Sequence, residues 1–282
     1  MKALTGAITP CGKVADINRF LKDVANHVDM REIVMRRKGY EAEVGARGGK
    51  YITQWSNLRH AGHATAQKHR ARLHVKIWTK ILAVDAKAAD GESPIAVIIF
   101  GPPSSGKTTI AVPFAKKRFR VQFVSINPDD VKEMLPEYEG WNADALHEES
   151  SDVAERDVAR RAIYRRQNVI YDIVGKSPEK VKAEIRNLDD LGYHVFVMLM
   201  DLPSWKAAVR AWDRFQENPF RRTHSRKASR FVPPGYVHRE VGSNPRKTFD
   251  KIKNHHLVRG YCRLNADVPK NFKPIIVERK GM

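Results

Sequence analysis

The run Gly101-Pro102-Pro103-Ser104-Ser105-Gly106-Lys107-Thr108-Thr109 constrains this chain more than any other stretch. It satisfies Gly-x4-Gly-Lys-Ser/Thr in full. Before it, Ile95 to Phe100 is an apolar run that reads as a buried parallel strand; after it, Ile110 to Lys117 reads as the start of a helix. In a strand–loop–helix setting the two glycines let backbone N–H groups curl around an anion, and the helix N-terminus adds its positive end. The nine residues therefore read as a nucleoside-triphosphate site. Lys107 falls on the β- and γ-phosphates of ATP or GTP, and the Thr108 hydroxyl on Mg2+. An ordinary Gly-Pro-Ser turn that happened to hold a lysine would lack this flanking strand and helix.

From Ile95 onward strand and helix patterns alternate, as in a doubly wound parallel α/β sheet. Strands are expected at 95–100, 121–126, 168–172, 194–200 and 258–263, with an edge strand at 274–278. The helices between them are expected at about 107–117, 130–135, 147–167, 177–192, 204–217 and 236–255. Upstream, Phe20, Leu21, Val24, Val28, Ile33 and Val34 recur at helical spacing between Asp16 and Arg37. Gly45 to Gly49 breaks that pattern, and a second helix is expected from about Gln54 to Val84, with Trp78, Ile81 and Leu82 on its apolar side. Ala86 to Pro94 reads as a linker. This divides the chain into a basic, mostly helical extension over 1–93 and a nucleotide-binding domain over 94–282.

The net charge of +19 is unevenly spread. Residues 1–93 hold 17 Lys and Arg against 9 Asp and Glu, residues 94–202 hold 15 against 17, and residues 203–282 hold 19 against 6. Basic flanks on a near-neutral core attract polyanions, phosphorylated substrates or nucleic acid. Cys11 and Cys262 carry no metal or redox spacing, which points to a reducing compartment. With no apolar leader at the N-terminus and no run approaching a membrane span, the sequence predicts a cytoplasmic protein without a membrane.

In such sheets ligands lie beyond the carboxyl ends of the strands. The second strand is followed by Asn127-Pro128-Asp129-Asp130. Asp129 can take the proton of an attacking hydroxyl, or can simply cap the next helix; Asp130 reads as turned away. The third strand ends at Asp172, ahead of Gly175-Lys176, and that acid can hold a metal-bound water, grip a substrate, or merely solvate a loop. Arg214, Arg221, Arg222, Arg226 and Arg230 fall within a Pro- and Ser-containing stretch after the 204–217 helix, read as a lid around 214–233. Lid arginines supply positive charge to a transferring phosphoryl group; a nucleic-acid-binding loop or a solvated turn are the alternatives.

The order phosphate loop, Ile-x-x-Asp, long charged helix, then a strand ending in an acid before Gly and a basic residue resembles the zeta-toxin kinases. Asp213-Arg214-Phe215 and Ser229-Arg230-Phe231-Val232-Pro233-Pro234 extend the likeness, which covers about residues 95–240. It implies an adenylate-kinase-like phosphotransferase, with UDP-N-acetylglucosamine-like nucleotide sugars as acceptors. By that resemblance Asp129 is the general base, Lys107 clamps phosphate, Arg214 and Arg230 are lid arginines, and Asp129, Asp172 and Lys176 contact substrate. An antitoxin protein becomes a candidate partner. Ile173-Val174 replaces the family's Gly-Thr pair and Asp172 its longer Glu, so a different substrate pocket is expected.

His60, His63, His69 and His74 lie in the basic stretch from Arg59 to Lys76, without the Cys or acidic companions of a zinc site. An anion-binding helix or a plain helical extension packed on the core fits them better. Two other functions suit the basic flanks. One is a polynucleotide or RNA-end kinase; the other is a nucleic-acid- or particle-associated protein with a vestigial kinase core, against which the intact Lys107 and Thr108 argue.

Overall fold

A computed structural model of the 282-residue chain describes residues 14–36, 64–217, 229–268 and 273–282. Six strands form one sheet in the order β2-β3-β1-β4-β5-β6. They are β1 Ile95–Phe100, β2 Val124–Ile126, β3 Val169–Asp172, β4 His194–Asp201, β5 Val258–Asn265 and β6 Ile275–Lys280. The first five are parallel, and β6 runs antiparallel along β5. β1 lies between β3 and β4, so the chain leaves it in opposite directions on its two sides, and a crevice opens at its carboxyl end.

The apolar run of β1 is continuous because both of its faces are covered. Ala96, Ile98 and Phe100 share one core with Ile77, Ile81 and Leu82 of helix α2 (Ala64–Leu82). Val97 and Ile99 share the other with Ile17, Phe20, Leu21 and Val24 of α1 (Val14–Ala25). Helix α3 (Val112–Phe119) follows the loop after β1 and buries Ala115 on the α1 side. In chain order come α4 (Pro128–Lys132), α5 (His147–Asp152), α6 (Arg160–Tyr164), α7 (Pro178–Asp190), α8 (Ser204–Glu217) and α9 (Asn244–Ile252). Among the described residues no helix is long and apolar enough to cross a membrane.

Several expected boundaries moved for local reasons. The N-terminal periodicity resolves into α1 and a second helical segment over 28–36, because the His27 ring accepts from the Asp29 N–H (Nδ1, 3.2 Å) and starts a new helix. The helix expected at 236–255 is split. A helical turn at Tyr236–Val241 ends at Gly242, which has a φ of +49°, and Pro245 begins α9 afresh. The long 147–167 helix widens to i→i+5 bonding over Val153–Ala159 between α5 and α6. β2 begins at Val124 rather than 121 because only from there does it pair with β3. Ala86 to Pro94 is stitched to the sheet edge: the Asn168 N–H donates to the Ala86 carbonyl at 2.7 Å, and the Ala88 N–H to the Arg166 carbonyl at 3.1 Å. The break at 45–49, the 54–63 part of the second expected helix, His60, His63 and Cys11 lie outside the described residues.

Candidate active site

The loop after β1 has the conformation its glycines allow. Gly106 sits at a φ of +92°, and a Cβ there would meet Ile110 Cδ1 at 2.9 Å. A Cβ on Gly101 would meet the Met200 carbonyl oxygen at 2.9 Å. Both positions therefore require glycine. The loop feeds a widened helical turn, Lys107–Ala111, whose first N–H groups point back toward the loop.

Lys107 is tucked under the loop, its side chain 10% exposed. Its Nζ donates to the carbonyl oxygens of Gly101 (2.9 Å) and Pro102 (3.1 Å) and lies 3.6 Å from Asp172 Oδ1. Burial lowers its pKa, opposed by Asp172 and assisted by Arg230 and Arg214. The Thr108 hydroxyl donates to Asp172 Oδ2 at 2.8 Å. Thus the acid ending β3 meets both the lysine and the threonine of the loop, an arrangement that suits a divalent cation beside a polyphosphate.

On the opposite wall, Asn127 caps α4, its Oδ1 accepting from the Asp129 N–H at 3.0 Å. The cap left open as a role for Asp129 is thus filled by a neighbour, and both Asp129 carboxylate oxygens face cations. Oδ1 accepts from Lys132 Nζ at 3.1 Å, and Oδ2 pairs with Arg230 Nη1. Lys132 in turn lies 3.1 Å from His147 Nδ1, giving a chain Asp129–Lys132–His147. Burial lowers the Lys132 pKa to about 8, against the pull of Asp144. Burial, then the Lys132 charge, lowers that of His147. Asp130 does not line the cavity and is half-buried: its Oδ2 accepts from Ser125 Oγ at 2.7 Å, and burial raises its pKa, with Asp172 adding to the rise.

Asp129, Asp172, Lys107, Thr108, Arg214 and Arg230 line one cavity of about 560 Å³, together with Ser104, Ser105, Gly106 and Thr109. Arg214 is in the last turn of α8, not in the loop after it. Burial lowers the pKa of both lid arginines, that of Arg230 to about 10. Arg214 Nε and Nη2, Arg230 Nε and the hydroxyls of Ser104 and Ser105 are buried without a hydrogen bond among the described residues. Five buried donor atoms without a hydrogen bond around one cavity are costly unless an anion completes them, so the residues fit a polyphosphate. Gly101, Pro102 and Pro103 are buried behind the loop and do not line this cavity. Lys176 does not line it either; its Nζ sits 4.9 Å above the Tyr236 ring. Arg221, Arg222 and Arg226 lie outside the described residues. Arg210, Ala266 and Val268 also line the cavity, and no sequence motif marks them. Lys132 and His147 were equally silent; a lysine three residues after a first-turn acid is the one local signal that could have found the former.

A phosphate loop after the first strand of a 2-3-1-4-5 parallel sheet, facing an arginine-closed cavity, defines the P-loop kinase-like class. Within that class the family model of the zeta toxins matches residues 80–266, and the chain belongs to that family. Its fold is similar to that of the PezAT chromosomal toxin–antitoxin system of Streptococcus pneumoniae, with a TM-score of 0.58 and 15% identity over 74% of this chain and 81% of that one. It is also similar to AvrRxo1-ORF1:ORF2, solved with sulphate ions and with ATP; each gives a TM-score of 0.55 and 19% identity over 74% of this chain and 67% of that one. No curated protein matches in sequence.

Proposed function

We propose that this protein is a kinase that transfers the γ-phosphoryl group of ATP or GTP to a hydroxyl of a small substrate, of the nucleotide-sugar type phosphorylated by characterised zeta toxins. The observation that carries the reading is the convergence of Lys107, Asp129, Asp172, Arg214 and Arg230 on one cavity, around which five buried donor atoms lack partners among the described residues. Support for ATP comes from the AvrRxo1-ORF1:ORF2 structure solved with it.

In this mechanism the loop N–H groups and Lys107 hold the β- and γ-phosphates. Thr108 and Asp172 are the residues that would hold Mg2+, which when bound shields the phosphate oxygens. Asp129 accepts the proton of the acceptor hydroxyl as its oxygen forms a bond to the γ-phosphorus and the bond to the β-phosphate oxygen breaks. Arg214 and Arg230 steady the charge on the transferring group. Arg230 pairs with Asp129, so a γ-phosphate competes for that guanidinium and releases the base. Residues 94–282 form the catalytic unit, braced by the helices of the first 93. PezAT and AvrRxo1-ORF1:ORF2 are paired systems, which supports an antitoxin as partner. Ile173-Val174 beside Asp172 points to an acceptor pocket of the protein's own shape.

The test is incubation of purified protein with ATP or GTP and Mg2+ against nucleotide sugars, nucleosides, dinucleotides and short oligonucleotides, read by mass. A phosphorylated nucleotide sugar supports the reading. Phosphate found only on oligonucleotide ends replaces it with an RNA-end kinase, and no transfer to any acceptor refutes it.

A further inference from the structure

Helix α2 contains no Asp or Glu, and its cations fall on two sides with different fates. The inward ones are matched. Arg70 donates from Nε and Nη2 to the two oxygens of Glu149 (2.5 and 2.6 Å) and from Nη1 to Glu137 (2.8 Å). His74 Nε2 lies 2.7 Å from the same Glu149, which is fully buried. The outward ones are not matched. Lys68, Arg72, Lys76 and Lys80 recur every fourth residue, all exposed, and none has an ion-pair partner among the described residues. At about 1.5 Å of rise per residue they are spaced roughly 6 Å apart along a line of roughly 18 Å.

A second feature lies at the C-terminal end of the same helix. Gln167 Nε2 donates to the carbonyl of Val84 at 3.1 Å, which seats the end of α6 against the end of α2, and Arg161 stacks 4.3 Å over Trp78 of α2. At that corner Tyr164 is 90% exposed and is followed by the exposed Arg165 and Arg166. A row of cations on one helix, and an exposed aromatic ring flanked by arginines at that helix's C-terminal end, are the composition that tracks a phosphate backbone and stacks an unpaired base. A membrane-surface helix would need an apolar outer face, and here Val75 is the one large aliphatic side chain exposed among the described cations.

We infer that the outer face of α2, with the Tyr164–Arg166 corner, binds the phosphate backbone of nucleic acid without sequence preference. This surface is separate from the phosphate-loop cavity and does not depend on the kinase reading.

The test is fluorescence anisotropy of labelled single-stranded RNA, single-stranded DNA and duplex DNA across a potassium chloride series, with the full chain. The variant Lys68→Gln/Arg72→Gln/Lys76→Gln/Lys80→Gln removes four contacts. It should flatten the log–log salt slope by about 3 on single strands and slightly more on duplex. Tyr164→Ala should weaken single strands by about tenfold and leave duplex unchanged. Circular dichroism and ATP affinity of the variants should match wild type, since these side chains are exposed and outside the cavity. Lys117→Gln/Arg118→Gln, on the opposite face of the sheet, is the control. Wild-type protein that binds no oligonucleotide, or that binds only anionic vesicles, overturns the proposal. So does a salt slope that the control flattens and the α2 variant does not.

Discussion

Replacing Asp129 by Asn separates base from scaffold more cleanly than any other change in the cavity. Asn127, not residue 129, caps α4, so the helix start is untouched. The substituted side chain keeps one oxygen to accept from Lys132 Nζ, now 3.1 Å away, and loses the charge that meets Arg230. The Asp129 side chain is 36% exposed, so its ion pairs are partly solvent-screened and their loss should cost about 1 kcal/mol. For a protein of this size that lowers Tm by about 2–4 °C. An amide cannot accept the hydroxyl proton, so turnover should fall about 10²- to 10⁴-fold. ATP affinity should hold or rise slightly, because a negative charge leaves the neighbourhood of the phosphates. The measurements are initial rates of acceptor phosphorylation, calorimetric titration of ATP and a melting curve on the same preparation. Turnover within tenfold of wild type per folded molecule would refute the assignment of Asp129 as base. A parallel collapse of ATP affinity would show that the residue builds the nucleotide site instead.

Lys107→Ala should abolish measurable transfer while the melting curve stays near wild type, because Nζ bonds only loop carbonyls and Asp172; unchanged turnover in a rate assay would remove the loop from catalysis. Arg214→Ala and Arg230→Ala should each lower turnover about 10³-fold or more in the same assay. Arg214 Nε and Nη2 lack partners among the described residues, so Arg214→Ala should leave the midpoint of a denaturant titration near wild type, whereas Arg230→Ala also breaks the pair with Asp129 and should lower it slightly. Lys132 gives a pH signature. Its folded pKa of about 8 lies below the ordinary 10.5, so the unfolded chain binds the extra proton and stability should rise as pH climbs from 8 toward 10.5. Lys132→Met should lose that slope in urea unfolding midpoints taken across the range, and a slope retained in the variant assigns it to another group.

Local pattern carried the phosphate loop because its requirements are local: glycines where a Cβ would collide, an apolar strand before and a helix after. It carried much of the strand order too, since β1, β3 and β4 are largely continuous apolar runs and β5 alternates buried Cys262 and Leu264 with polar residues, whereas the start of β2 depends on where it pairs with β3. Asp129 and Asp172 were legible as acids at strand ends. Their different settings were not. Asp172 against Thr108 and Lys107, and Asp129 between Lys132 and Arg230, arise from contacts between residues 64 to 101 positions apart or from a helix start whose cap was ambiguous in one dimension. The same holds for Arg214, which sequence placed with the lid and packing placed on the buried end of α8, and for Lys176, which turned to Tyr236 instead of the cavity. Among the cations of α2, sequence shows only a basic helix. Which of them are neutralised by Glu149 and Glu137 and which face outward is decided by which side of the helix the sheet covers, because burial forces a charge to find a partner and exposure does not.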